Sequence, residues 1–185
     1  MSASYRFHGH AIVSADDHIA DASGTMPKAL RHPADWRRFQ HALDEATLVV
    51  LGRRSHEASP NLRHRRRLIV SSTVAGLELR TDGWWWNPAG AALALALRSA
   101  APEGGVVAIP GGRRVFDFFL AIGFDAFDLA RAGGLRLPSG IPIFSACAQG
   151  RSAEELLFGG GLQRQSTEVL DEKEDVSVAL WRRPE

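Results

Sequence analysis

The sequence predicts an α/β fold built on a mostly parallel central sheet and closed by an antiparallel hairpin. Three observations carry the prediction. Short apolar, β-branched runs alternate with helical stretches for most of the chain. The last two runs, 163–170 and 176–181, flank a polar turn at 171–175, the pattern of an antiparallel hairpin. The 185 residues suit one domain spanning 1–185, with no repeat or linker, long enough to bury roughly two-thirds of the unfolded surface.

The elements follow in order. A short apolar segment at 11–13 ends in the polar turn 14–17, and a loop punctuated by Gly24 and Pro27 leads to a helix over 35–46, with Trp36, Phe39 and Leu43 at helical spacing. Residues 47–51 and 68–70 read as buried strands, and 77–79 as a short edge strand. Asn87-Pro88 is a helix start, a cap followed by proline, for an Ala/Leu helix running to about 101. The strand 106–109, the Pro110-Gly111-Gly112 turn, the helix 113–122 and the strand 126–130 come next, then a Gly/Pro-rich loop over 133–142. Trp84, Trp85 and Trp86 read as cover for a sheet edge or a dimer seam, and Gly159 to Gly161 as a flexible loop.

Composition removes several function classes. Apolar residues at 45% and charged residues at 23% are globular values, and 22 basic against 21 acidic residues leave a net charge of +1, so nothing draws the chain to nucleic acid or membrane. Cys147 is the only cysteine, which excludes an internal disulfide and fits a reducing compartment. The first ten residues lack the apolar core of a signal peptide, and the longest apolar run stops at Arg98, too short to span a bilayer. A cytoplasmic location is expected. His8 and His10 alternate along a strand without a third ligand, so no metal is expected.

Three consecutive strand ends carry residues suited to phosphate. They are Gly52, Arg53, Arg54 and Ser55; Ser71 and Ser72; and Gly111, Gly112, Arg113 and Arg114. In open α/β sheets ligands collect at the carboxyl ends of strands, and glycines at a helix N-terminus expose backbone donors to an anion. Each element alone is commonplace. The three in this order are specific, and they match neither the single GxGxxG fingerprint nor the GxxxxGK[ST] loop.

These residues, with AIVSADDHIADASG (11–24), MP (26–27), PADWRRF (33–39), VVLGRRSHE (49–57), RRLIVSS (66–72) and AIPGGRRVFDFF (108–119), resemble the dihydrofolate-reductase superfamily over nearly the whole chain. The resemblance implies a dihydrofolate-reductase-like three-layer fold and an NADPH-dependent oxidoreductase. It implies that Gly52, Arg53, Arg54 and Ser55 hold the pyrophosphate and adenosine side and that Ser71 and Ser72 hold the 2′-phosphate region. The resemblance likewise implies that Gly111 and Gly112 form the Gly-Gly turn beside the phosphates and nicotinamide, with Arg113, Arg114 and Val115 capping the next helix, and that Ile12 and Ile19 flank the nicotinamide. Asp35 is the expected catalytic acid, on one helix face with Phe39 and Leu43; a plain capping role is the competing reading. Phe39 and Arg65 are the substrate-binding candidates, and the substrate is a small pteridine or pyrimidine.

Two branches compete. SADDHIADASG (14–24) and FDAFDLARAGGLRLPSGIPIF (124–144) are similar to the riboflavin-biosynthesis reductase domain, which reduces the ribose of a phosphoribosylamino-pyrimidine and takes a substrate phosphate, here assigned to 63–67. The paired cysteines of the deaminase half are missing, which implies a stand-alone reductase. Lys28, Pro110 and Ala130 depart from the folate branch, so dihydrofolate reduction is the first alternative and a non-catalytic nucleotide-binding homologue the second. A homodimer is expected from the riboflavin branch, the tryptophans and the terminal hairpin.

Overall fold

The chain enters the sheet through β1 (Tyr5–Ser14), whose burial deepens toward its carboxyl end at Val13 and Ser14. The computed structural model describes residues 3–184. β1 pairs in parallel with β7 (Gly105–Gly111) on one side and β8 (Ala126–Ala132) on the other. Beyond β7 lie β3 (Leu48–Gly52), β4 (Arg67–Val70) and β6 (Gly83–Trp86), all parallel, with β5 (Leu77–Arg80) antiparallel at the edge. Beyond β8 the hairpin of β10 (Gln163–Asp171) and β11 (Val176–Arg182) closes the other edge. The spatial order is β10-β11-β8-β1-β7-β3-β4-β6-β5, the mostly parallel sheet with a terminal hairpin that the sequence predicts.

Strand alternation divides the core between two faces. Val49, Leu51, Ile69 and Ala108 pack with Leu43 and Phe39 of α1 (Pro33–Glu45), while Leu48, Val50, Leu68, Val107 and Ile109 pack on the opposite side. That second face is covered by α3 (Leu93–Ala100), α4 (Arg113–Ile122) and α5 (Ala153–Gly159), around buried Phe116, Phe119, Phe124, Phe127 and Phe144. The result is three layers, with α2 (Arg53–Ala58) at the rim after β3. Among the described residues no helix is long and apolar enough to cross a membrane.

Four local expectations are corrected. The tryptophans do not form surface cover: they are β6 itself, between β4 and β5, with Trp85 and Trp86 buried. Their ring N–H groups donate to Asp82 and to the Ala91 carbonyl, both at 2.8 Å, which is how a buried indole stays satisfied. The helix after Asn87 begins only at Leu93, because the Asn87 side chain accepts from Ala89 N–H and donates to the Val74 carbonyl, forming a turn instead. The loops around 18–20 and 141–142 pair as β2 (His18–Ala20) and β9 (Ile141–Pro142), separate from the main sheet. Gly159, taken as part of a flexible loop, ends α5, whose start is fixed by a reciprocal Ser152–Glu155 capping box.

Candidate active site

The parallel strands deliver their carboxyl ends to one rim. β3 ends at Gly52, which precedes α2, and β7 ends at Gly111, followed by Gly112 at the N-cap of α4. Neither cap position offers a side-chain acceptor, so the first backbone N–H groups of both helices remain available to an anion. The two turns face each other: a Cβ on Gly52 would stand 4.0 Å from the Gly112 nitrogen, and one on Gly112 would stand 4.0 Å from Ser55 Oγ. The Gly111–Gly112 peptide is cis.

The two glycines are there for different reasons. Gly111 has φ +101°, and a Cβ would meet the Phe116 ring at 2.5 Å, so the fold itself requires glycine. Gly112 has φ −76°, and a built Cβ would meet nothing nearer than Ser55 Oγ at 4.0 Å. Nothing in its own packing demands glycine; what a Cβ would fill is the cleft.

The remaining cofactor candidates separate by surroundings. Arg53 pairs with Glu57 at 2.9 Å, whereas Arg54, Arg113 and Arg114 make no ion pair among the described residues. Ser55 is half-buried beside Gly112. Ser71 is buried and its Oγ is engaged with Thr73, accepting from Thr73 N–H at 3.1 Å, so it shapes the turn that presents exposed Ser72. Val115 is buried, with its Cγ2 3.6 Å from where a Cβ on Gly52 would stand, and its N–H donates to the Gly112 carbonyl at 2.9 Å, committing it to α4. Ile12 is buried among Leu30, Ala130 and Val178, and half-buried Ile19 packs on the core behind the rim.

The acid side is built on β1, β8 and α1. The N-cap of α1 is His32, whose Nδ1 accepts from Ala34 N–H at 3.3 Å, so Asp35 does not fill the cap. Its carboxyl has no hydrogen-bond partner among the described residues and borders a cavity of about 20 Å³ shared with His10, Arg38, Phe39, Asp128 and Val178. Burial pushes the Asp35 pKa up to about 6 against the opposing charges of Arg38 and His32, with Asp128 adding to the rise. Burial likewise drives His10 down to about 4, against the pull of Asp128. Phe39 lies on the cavity wall and packs against Trp36, ring centres 5.5 Å apart. Arg38 donates to Glu168 and Arg182 to Asp128, both at 2.8 Å, tying the site to the terminal hairpin.

Arg65 is not at this cavity. Its guanidinium donates to Asp44 at 2.7 Å and to the Gln40 side chain at 2.8 Å, which occupies it against α1. The other arginines of 63–67 diverge: Arg63 pairs with Asp44, Arg66 with Glu103, and Arg67 is buried, donating to His56 and the Ser59 carbonyl. The substrate-phosphate assignment to this run is therefore corrected, since Asp44, Glu103 and His56 already engage these guanidinium groups.

One further cluster, His32, Asp171 and Glu174, has metal-like proximity, with His32 Nε2 at 3.4 Å and 3.6 Å from the two carboxylates. Because Nδ1 accepts from the helix, Nε2 carries the proton toward the carboxylates, so the ring donates a hydrogen bond there and offers no lone pair to a metal. His10 and Asp128 are the site residues that the sequence reading left out of the site. The visible signals were a histidine and an aspartate set among the apolar residues of β1 and β8.

No protein-family model and no curated protein sequence matches the chain. Solved structures do. A protein assigned to riboflavin biosynthesis from Shewanella sp. PV-4 superposes with a TM-score of 0.69 at 16% identity, over 97% of this chain and 99% of that one. A dihydrofolate reductase from Enterococcus faecalis, complexed with NADP(H) and RAB-propyl, gives 0.68 at 16% identity, over 100% of both chains. A diaminohydroxyphosphoribosylaminopyrimidine deaminase/5-amino-6-(5-phosphoribosylamino)uracil reductase from Thermotoga maritima gives 0.65 at 15% identity, over 98% of this chain but 57% of that one. The chain thus has the dihydrofolate-reductase-like fold and spans a little over half of the two-function protein.

Proposed function

We propose that this chain is an NADPH-dependent reductase of the riboflavin-biosynthesis type, acting on a phosphoribosylamino-pyrimidine. The observation that carries the reading is the cleft between Gly52 and Gly112, where a glycine without internal need meets two uncapped helix starts and unpaired Arg54, Arg113 and Arg114. These residues fit a dinucleotide phosphate chain, and the arginines favour the form with the extra 2′-phosphate. NADPH, when bound, supplies a hydride.

The chain's own part is orientation and a proton. Ile12 and Ile19 form the apolar wall behind the nicotinamide, and Asp35, desolvated and free of its helix cap, holds a proton near neutral pH for the reduced group. Phe39 offers a ring face to the substrate. The riboflavin-type substrate is preferred because hydride reaches an open-chain ribosyl carbon, so the acid needs contact with only one polar atom. Arg65, the other substrate-binding candidate, is already engaged by Asp44 and so is not free for a folate's carboxylates. The engagement of the 63–67 arginines by other partners favours, as a second reading, a nucleotide-binding homologue without turnover.

NADPH is expected to stabilise the protein more than NADH, by about 1–3 kcal/mol at saturation. NADPH absorbance should fall on addition of the phosphoribosylamino-pyrimidine but not dihydrofolate. Equal thermal shifts with the two cofactors overturn the 2′-phosphate assignment; a shift without oxidation selects the second reading. Asp35→Asn should keep NADPH binding and lower turnover by roughly 10²–10⁴-fold. The reading includes a cytoplasmic setting, consistent with the single free Cys147, and a homodimer.

A further inference from the structure

We propose that His10 and Asp35 form a subsite for one hydroxyl group of the substrate, the hydroxyl donating to His10 and accepting from the Asp35 carboxyl. The proposal deepens the reductase reading, on which its choice of substrate rests, by making His10 a substrate-contacting residue that selects a hydroxylated chain.

The argument starts from an imbalance. His10 is 9% exposed, yet neither ring nitrogen has a hydrogen-bond partner among the described residues; the nearest acceptor, Asp128 Oδ2, is 3.8 Å from Nδ1. Asp35 on α1 is equally without a partner. His10 is nine-tenths buried, and a ligand atom between the two groups would supply hydrogen bonds that the protein itself does not. The cavity they share, about 20 Å³, holds one water-sized atom.

Proton inventory fixes what that atom is. Burial keeps His10 neutral, so the ring has one N–H and one lone pair. The Asp128 carboxylate on the Nδ1 side draws the ring proton there, which leaves Nε2 as an acceptor. Asp35 offers an O–H when protonated. A hydroxyl gives one hydrogen bond and takes one, as the pair requires, and so can displace a water there, whereas a carbonyl oxygen or a methyl satisfies at most one partner. Arg38 from α1, Asp128 from β8 and Arg182 from β11 surround the pair, and each has a counter-charge of its own: Arg38 with Glu168, and Arg182 with Asp128. None of them needs the ligand. Affinity for the hydroxyl is highest where Asp35 is protonated and falls as it ionises, because a carboxylate and a lone pair then compete for one proton.

The test uses ribitol as probe, with the full chain, isotope-labelled for NMR. Ribitol should shift the His10 ring and Asp35 carboxyl resonances together, and its affinity should fall at least tenfold from about pH 5 to pH 8. His10→Phe should weaken binding at least tenfold, and His10→Gln, which keeps an acceptor, should recover part of it. Asp35→Asn should retain binding and lose the pH dependence. Unmoved His10 and Asp35 resonances in the wild-type protein, or undiminished affinity in His10→Phe, overturn the proposal. Loss of NADPH binding with ribitol binding intact overturns the reductase reading and leaves the subsite standing.

Discussion

Asp35 and His10 line one small cavity, and the same physical cause moves their titrations in opposite directions. Burial raises the carboxyl from 3.8 to about 6 and lowers the imidazole from 6.5 to about 4. Linkage then gives opposite slopes. Asp35 contributes stability that is fully present below its unfolded pKa and is lost as pH rises toward 6. The neutral His10 contributes stability that is present above 6.5 and is lost as pH falls toward 4. Asp35→Asn should therefore stabilise the protein by about 1–2 kcal/mol at about pH 8, after discounting for its partial exposure. It should leave a profile that rises with pH across this window, while His10→Gln should leave one that falls. Urea denaturation of the two variants measures both slopes, and parallel profiles would show that the groups are not desolvated as placed. The sequence made Asp35 visible through PADWRRF because a carboxylate on an apolar helix face is conspicuous. It hid the cap, since a histidine before Pro33 is an uncommon N-cap, and it hid His10, whose significance lies in what it fails to bond.

At the level of elements, the glycine pair offers the sharpest contrast. Gly112→Ala should leave the fold intact and abolish NADPH binding, because its Cβ enters only the cleft. Gly111→Ala should destabilise the protein itself, by about 2–4 kcal/mol, through its positive φ and the contact with Phe116. Thermal unfolding with and without NADPH separates the two; normal NADPH affinity in folded Gly112→Ala removes the main support for the cofactor cleft. The long elements were legible because periodicity is strong in them: the helix expected over 113–122 is α4, and the two runs of the terminal hairpin are β10 and β11. Short elements were not. α5 has seven residues and announces itself mainly through Ser152 and Glu155, a capping signal that costs about 1 kcal/mol to remove by Ser152→Ala. β6 was obscured by its own composition, since three adjacent tryptophans suggest a surface until their ring N–H groups find partners inside.

For the whole molecule, strand alternation and the parallel-sheet rules made the architecture legible, whereas the basis for self-association has to be found anew. The tryptophans that suggested a dimer seam are interior, so the expectation of a homodimer now rests on the opposite edge of the sheet. β10 is nine residues long, and residues 163–169 are exposed along it. Its outer row of N–H and C=O groups has no strand beyond it, a template that natural sheets cover or blunt. Bulges relative to β11 fall between Arg164 and Ser166 and between Val169 and Asp171, leaving 166–169 regular and open. Two large apolar side chains, Val169 at 61% exposure and Phe158 of the neighbouring α5 at 67%, stand free there. A second copy related by a two-fold axis can pair its own β10 with this row and cover both side chains, giving an isologous interface. Light scattering at micromolar concentration should then report about twice the 20.1 kDa chain mass. Val169→Lys, which places a charge on the paired edge, should return the protein to the monomer without loss of fold. A wild-type monomer under those conditions would remove the homodimer from the proposed function and leave the β10 edge blunted by its two bulges alone.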